Sequence, residues 1–120
     1  MSQLSSEKCV ACRADSPKVS QEEIATLLPE IPDWQMISEK GIPQLMRLFP
    51  FRGFAQATDF AMAIASLAEE QGHHPRLVLE WGKVTVSWWT HKIRNLHRND
   101  FIMAKKTDDI YNQYSANNTA

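Results

Sequence analysis

Between Glu69 and Asp100 the chain gathers residue types that move protons: Glu69-x3-His73-His74-Pro75, then Trp81, then Thr90-His91, then Asp100. His73, His74 and His91 are three of the four histidines in the sequence. The unperturbed pKa of histidine, roughly 6.5, lies close to neutral, so imidazoles brought together serve proton transfer or metal binding. A carboxylate one helical turn before His73, Glu69, can orient a ring or accept from a ligand N–H. A lone histidine reads more readily as a structural group, but three at a turn and a strand end reverse that preference. A zinc site is the chemical rival, with His73 and His91 joined by Glu69 or Asp100. It lacks the helical His-x3-His pair, and adjacent histidines seldom hold one ion together.

The elements that must position these groups are legible as pattern. Ser20-Gln21-Glu22-Glu23 is a capping box, so a first helix starts there. Ile24, Leu27, Leu28 and Ile31 form its buried stripe, and Pro29 and Pro32 stop it. Trp34 to Ser38 and Ile42 to Phe51 read as two strands around a Glu39-Lys40-Gly41 turn, with Pro43 and Pro50 at strand ends or on an edge. From about Gly53 to Gln71 the chain is rich in Ala, Met, Leu and Glu, and Gly72 stands where a helix C-cap belongs. Phe54, Ala57, Ala61, Ile64, Ala65 and Ala68 make one apolar face of this long helix. Phe60, Met62, Ala63 and Leu67 widen it beyond what one sheet covers, which points to a second subunit or, as the alternative, to a small domain that wraps this helix more fully.

Leu77 to Trp81 and Lys83 to Thr90 form a second hairpin through Gly82, with Val84, Val86 and Trp88 alternating against Lys83, Thr85 and Ser87. A last helix is expected from about Asp100 to Tyr114, N-capped by Asn99, with Phe101, Ala104, Ile110, Tyr111 and Tyr114 on its buried side. The order α-β-β-α-β-β-α implies an α+β domain in which helices cover one face of a four-stranded, mainly antiparallel sheet. Pro75 biases His74 toward extended backbone, so the His73 and His74 rings should point in different directions. If the second hairpin begins beside the C-terminus of the long helix, the turn at His73-His74 and the strand end at His91 share one end of the sheet.

Composition narrows the function classes. A chain of 120 residues with 43% hydrophobic residues suits one domain, expected over residues 19–114 between a flexible leader (1–18) and a frayed tail (115–120). Thirteen basic and fourteen acidic residues give a formal charge of -1 without any basic block, which disfavours direct nucleic-acid binding. No apolar run approaches the roughly 20 residues of a membrane span, and MSQLSSEKCVACRADS lacks the apolar core of a secretory signal, so a soluble, cytoplasmic protein is expected. Cys9-x2-Cys12 is half of a zinc or redox motif without its other half, and reads as a reduced pair in the leader. Trp34, Trp81, Trp88 and Trp89 are expected in the core, and His97 at a helix end or in solvent.

Glu69, His73-His74-Pro75, Trp81, Thr90-His91 and Asp100, taken together, resemble the pterin-4a-carbinolamine dehydratases, also known as dimerization cofactors of a homeodomain transcription factor. The likeness runs from about Val19 to Tyr114. The Cys-x2-Cys leader and the Glu-Trp-Gly-Lys-Val, Trp-Trp-Thr-His and His-Arg-Asn-Asp runs resemble the bacterial forms associated with phenylalanine hydroxylase. The resemblance implies dehydration of the 4a-hydroxytetrahydropterin released by aromatic amino acid hydroxylases, giving quinonoid dihydropterin and water without a metal or other cofactor. It implies His73 and His91 as the acid/base pair, in either assignment, His74 positioning the pterin and Asp100 supporting them. Glu69, Pro75 and the stretch Thr90, His91, Lys92 and Ile93 would line the substrate site, with one or two of the tryptophans walling it as the alternative to core packing. The chain would assemble as a homodimer or homotetramer, with a functional link to phenylalanine hydroxylase. Trp88 and Trp89 stand where the animal forms carry small residues, so an assembly described for those forms does not carry over by itself. A rival from another class is an interaction module that stabilises a partner's oligomer through the long helix.

Overall fold

The computed structural model describes Glu7 and residues 18–117. Cys9, Cys12 and the rest of the expected leader apart from Glu7 and Lys18 lie outside the described residues, as do residues 118–120. The elements run α1 (Gln21–Leu27), a 3-10 turn (Leu28–Glu30), β1 (Gln35–Glu39), β2 (Ile42–Pro50), α2 (Phe54–Gln71), β3 (Arg76–Glu80), β4 (Lys83–Trp88) and α3 (Arg98–Asn117). This is the α+β order read from the sequence. The capping box is formed as expected: Ser20 Oγ accepts from the Glu23 N–H, and the Glu23 carboxylate accepts from the Ser20 N–H.

The sheet has the order β1-β2-β4-β3, every neighbouring pair antiparallel. Lys40 (φ 54°) and Gly41 (φ 77°) close the first hairpin with the two positive-φ residues that a twisted two-residue turn needs. Leu45 lies opposite Trp88 and Phe49 opposite Val84, and these four with Val86 form the closed face of the sheet. Alternation puts Leu48 on the other face, where it remains exposed. Phe60, Ile64, Phe101, Met103 and Ala104 bring α2 and α3 over the closed face.

Polar groups fix α3 to the strands. The Trp88 indole N–H donates to Thr107 Oγ1 (3.1 Å), and Asp108 accepts from the Trp34 indole (2.8 Å) and the Arg47 guanidinium (2.6 Å). Arg47 also lies over the Phe49 ring. Burial pushes the Asp108 carboxyl above its ordinary value, against the opposing pull of Trp34 and Arg47.

Several details depart from the sequence reading. Phe60 is fully buried in the core, whereas Phe54 and Ala65 are exposed. The apolar residues left over on α2 thus face solvent along Phe54, Met62 and Ala65. The last helix begins two residues early, at Arg98, and runs to Asn117, so Asn99 lies inside its first turn rather than at the cap. Strand β4 ends at Trp88, and Thr90 pairs instead with Asn95. Two residues beyond Leu45, the last β2 residue paired with β4, comes Pro43, which has no N–H to extend the ladder. Trp34 and Trp88 are core residues and Trp89 is half-buried, but Trp81 is 74% exposed at the β3–β4 turn.

Candidate active site

The register of the second hairpin decides what meets what. Arg76, the first residue of β3, pairs with Ser87 near the end of β4, so the chain entering β3 and the chain leaving β4 share one end of the sheet. His73-His74-Pro75 and Trp89-Thr90-His91 occupy that end. Trp81 is at the opposite end, away from these histidines, because it makes the turn between the same two strands.

Gly72 makes the entry possible. It adopts the left-handed conformation (φ 65°, ψ 30°), its N–H donates to Ala68 O, and the His73 N–H donates to the same carbonyl (3.1 Å). Such a left-handed helix end reverses the chain within one residue, a conformation glycine adopts without steric penalty. His73 is thereby turned inward (6% exposed) while His74 stays outside. The two rings diverge, as expected from the extended backbone that Pro75 favours at His74.

Asp100 is the hub. It is fully buried; its Oδ1 lies 2.6 Å from His73 Nε2, and its Oδ2 accepts from Thr90 Oγ1 (2.8 Å) and from the backbone N–H of His97 (2.9 Å). A carboxylate only accepts, so this arrangement sets the His73 proton on Nε2 and leaves Nδ1 as the nitrogen not tied to Asp100. The His73 ring also lies parallel to the Trp88 indole, 11° between planes.

His74 Nε2 sits 2.6 Å from Glu69 Oε2, both groups exposed, so Glu69 orients the second histidine rather than the first. His91 begins a turn, His91 to Arg94, closed by the Thr90–Asn95 bridge and by Arg94 in the left-handed region (φ 50°). The His91 ring stacks on Trp89 (4.4 Å, 19°), and its Nε2 lies 3.2 Å from the His74 carbonyl oxygen. That contact joins the two halves of the motif across the sheet end. Pro75 is half-buried before β3; Lys92 is exposed and Ile93 half-buried in the turn after His91.

The expected residues Glu69, His73, His74, Pro75, Thr90, His91, Lys92, Ile93 and Asp100 therefore sit on the two segments that meet at this end. The zinc set is not assembled: His73 turns to Asp100 and Glu69 to His74, and among the described residues no three His, Cys, Asp or Glu side chains are grouped to hold a cation. His97, expected at a helix end or in solvent, stands at the helix end, and it is buried there. Its Nδ1 accepts from the Asn99 N–H (3.0 Å), and its own N–H donates to Asp100, which makes it the N-cap of α3. The spacing His97-x2-Asp100, a side chain that can accept followed three residues later by a carboxylate, is the signal that would have found it.

Comparison with known proteins finds relatives over most of the chain. Residues 17–110 match the family described as "Pterin 4 alpha carbinolamine dehydratase". A protein of Marinobacter nauticus is 55% identical over 92% of this chain and 100% of its own length, and one of Saccharophagus degradans is 52% identical over 92% and 98%. Both are named, provisionally, pterin-4-alpha-carbinolamine dehydratase. The crystal structure of a transcriptional coactivator/pterin dehydratase from Brucella melitensis superposes with a TM-score of 0.71 at 27% identity, over 79% of this chain and 99% of that one. A pterin dehydratase-like protein described as a RuBisCO assembly factor in the alpha-carboxysome shares the fold, with a TM-score of 0.56 at 24% identity, over 66% and 92%. On sequence and fold together, this chain belongs to the pterin 4 alpha carbinolamine dehydratase family.

Proposed function

We propose that the protein dehydrates a 4a-hydroxytetrahydropterin to quinonoid dihydropterin by histidine acid/base chemistry. The observation that carries this reading is the pairing of buried His73 with Asp100 beside the junction of His91 with the His74 carbonyl. Breaking the C4a–O bond expels hydroxide, so a proton must reach the departing oxygen, and one must leave a ring nitrogen as the C=N bond forms. Two imidazoles can supply and accept those protons, a contribution of roughly 10²- to 10⁴-fold each.

In this reading His73 and His91 exchange protons with the substrate. Asp100, anchored by Thr90 and the α3 backbone, keeps the His73 ring in one tautomer and one orientation. His74, held by Glu69, sits at the exposed rim and positions the pterin, together with Pro75 and the Thr90 to Ile93 turn. The Trp89 ring, stacked on His91, limits where that imidazole can swing. No step calls for a metal. The substrate is the product of an aromatic amino acid hydroxylase, which places the reaction in regeneration of that enzyme's pterin, phenylalanine hydroxylase being the expected companion, in the cytoplasm.

Stopped-flow measurement of 4a-hydroxytetrahydropterin breakdown, with and without the protein, tests substrate and reaction together. Acceleration by catalytic amounts is expected, and a rate unchanged from buffer would refute the reading. A second role, self-assembly into a homodimer or homotetramer, is favoured by one observation: Phe54, Met62 and Ala65, spaced for one stripe of α2, are all exposed.

A further inference from the structure

We propose that His97 is a positioning residue whose neutral imidazole caps α3 and so holds Asp100 against His73, and that protonating His97 loosens this support. The consequence for turnover rests on the dehydratase reading; the structural coupling does not.

Asp100 divides its oxygens between two tasks: Oδ1 meets His73, while Oδ2 is held by the Thr90 hydroxyl and the His97 N–H. The Asp100 N–H donates in turn to the His97 carbonyl (2.9 Å). Residues 97 to 100 thus form one closed turn, which the bond from the Asn99 N–H to His97 Nδ1 also ties. A nitrogen that accepts there must be unprotonated. Once Nδ1 carries a proton, two donors face each other, the cap bond is lost, and the turn that carries the Asp100 carboxylate is free to shift. Serine, threonine, aspartate and asparagine, the usual N-caps, do not change state near neutral pH. Histidine does.

The surroundings hold the ring neutral. His97 is buried, and desolvation, the largest influence, moves its pKa below the usual histidine value. Asp100 in α3 and Glu23 in α1 favour its cation, while His73 at the entry to β3 opposes it. The neighbouring Arg98 is engaged by Glu7. Protonation therefore requires acidic conditions, and when it comes it adds positive charge beside the pair that carries the proposed chemistry.

The test is to follow the ring nitrogens of His73 and His97 by NMR through a pH titration of wild type and His97→Ser, with turnover measured in parallel and in His97→Ala. In wild type the His97 ring should show an unprotonated Nδ1 at neutral pH, and the His73 signals should shift a second time over the interval in which His97 protonates. In His97→Ser, which caps without titrating, that second shift should vanish. Turnover should fall roughly tenfold in His97→Ala through kcat with KM little changed, and Ser should recover most of the loss and extend activity to lower pH. Identical His73 titrations in wild type and His97→Ser, or a wild-type Nδ1 that is protonated at neutral pH, overturn the proposal. So do parallel acid limbs of kcat in the two proteins. Should the protein fail to dehydrate the pterin at all, the NMR comparison still decides the coupling by itself.

Discussion

His73 Nε2 lies 2.6 Å from Asp100 Oδ1, although 27 positions separate the two residues. The contact spans the molecule's construction: His73 is delivered by the C-cap of α2, Asp100 by the first turn of α3, and Trp88 of β4 lies along the face of the imidazole. Both partners are closed from solvent, so the pair is held by packing as well as by charge.

Replacing Asp100 by asparagine keeps the shape of the side chain and removes its charge. Asparagine keeps one acceptor oxygen, which the Thr90 hydroxyl and the His97 N–H claim, so its NH2 faces His73 and no longer fixes that tautomer, and turnover should fall by about 10²-fold, as expected when a reacting group is misoriented. Steady-state kinetics, with circular dichroism to verify the fold, would check this; a change below threefold would mean that Asp100 serves the helix and not the histidine.

His73→Ala and His91→Ala should each lower dehydration by roughly 10²- to 10⁴-fold, the range for losing a general acid or base. His74→Ala should act mainly on KM, because its ring is exposed and paired to Glu69. Kinetics of the three variants distinguish the roles, and near-normal turnover in both His73→Ala and His91→Ala would exclude the proposed pair.

Asp108 lies outside the site and supports stability. Asp108→Ala leaves the Arg47 guanidinium and the Trp34 indole N–H without their shared acceptor on a largely buried surface. Loss of one partner of such a pair is strongly destabilising, by about 3 kcal/mol. Urea unfolding measures it, and a midpoint within error of wild type would show that water takes the place of the carboxylate.

Stability should also depend on pH through His97. Its folded pKa lies below the unfolded value, so the unfolded chain binds the proton first as the solution is acidified. The contribution is fully present above the unfolded value, roughly 6.5, and is lost as pH falls from there toward the lowered folded value. Across that window, denaturant midpoints should fall more steeply for wild type than for His97→Ser; equal slopes would count against a buried neutral His97.

Met62 is 65% exposed on α2, between Phe54 and Ala65 on the same side of the helix. If this stripe is the contact between copies, Met62→Glu should reduce the assembly by at least one step in sedimentation velocity, since the contact would then bury a charge. An unchanged sedimentation coefficient would locate the interface elsewhere.

Much of this was legible in the residues. Alternation marked β4, helix formers and Gly72 bounded α2, and the Ser20 capping box started α1, because each depends on neighbours within a few positions. The proximity of His73-His74 to His91 also followed, since a hairpin brings the start of its first strand to the end of its second. Trp81 illustrates the limit: an aromatic in an apolar context reads as core, yet its place in a two-residue turn leaves it in solvent. Only the tertiary structure gave Glu69 to His74 instead of His73, because the left-handed Gly72 reverses the chain between them. Only it showed His97 as the cap of α3. The sequence by itself determined which residues could move protons and the order of the elements that carry them. Packing of α3 against the end of the sheet decided which of those residues touch, because contacts across 27 positions depend on how whole elements dock and not on local pattern.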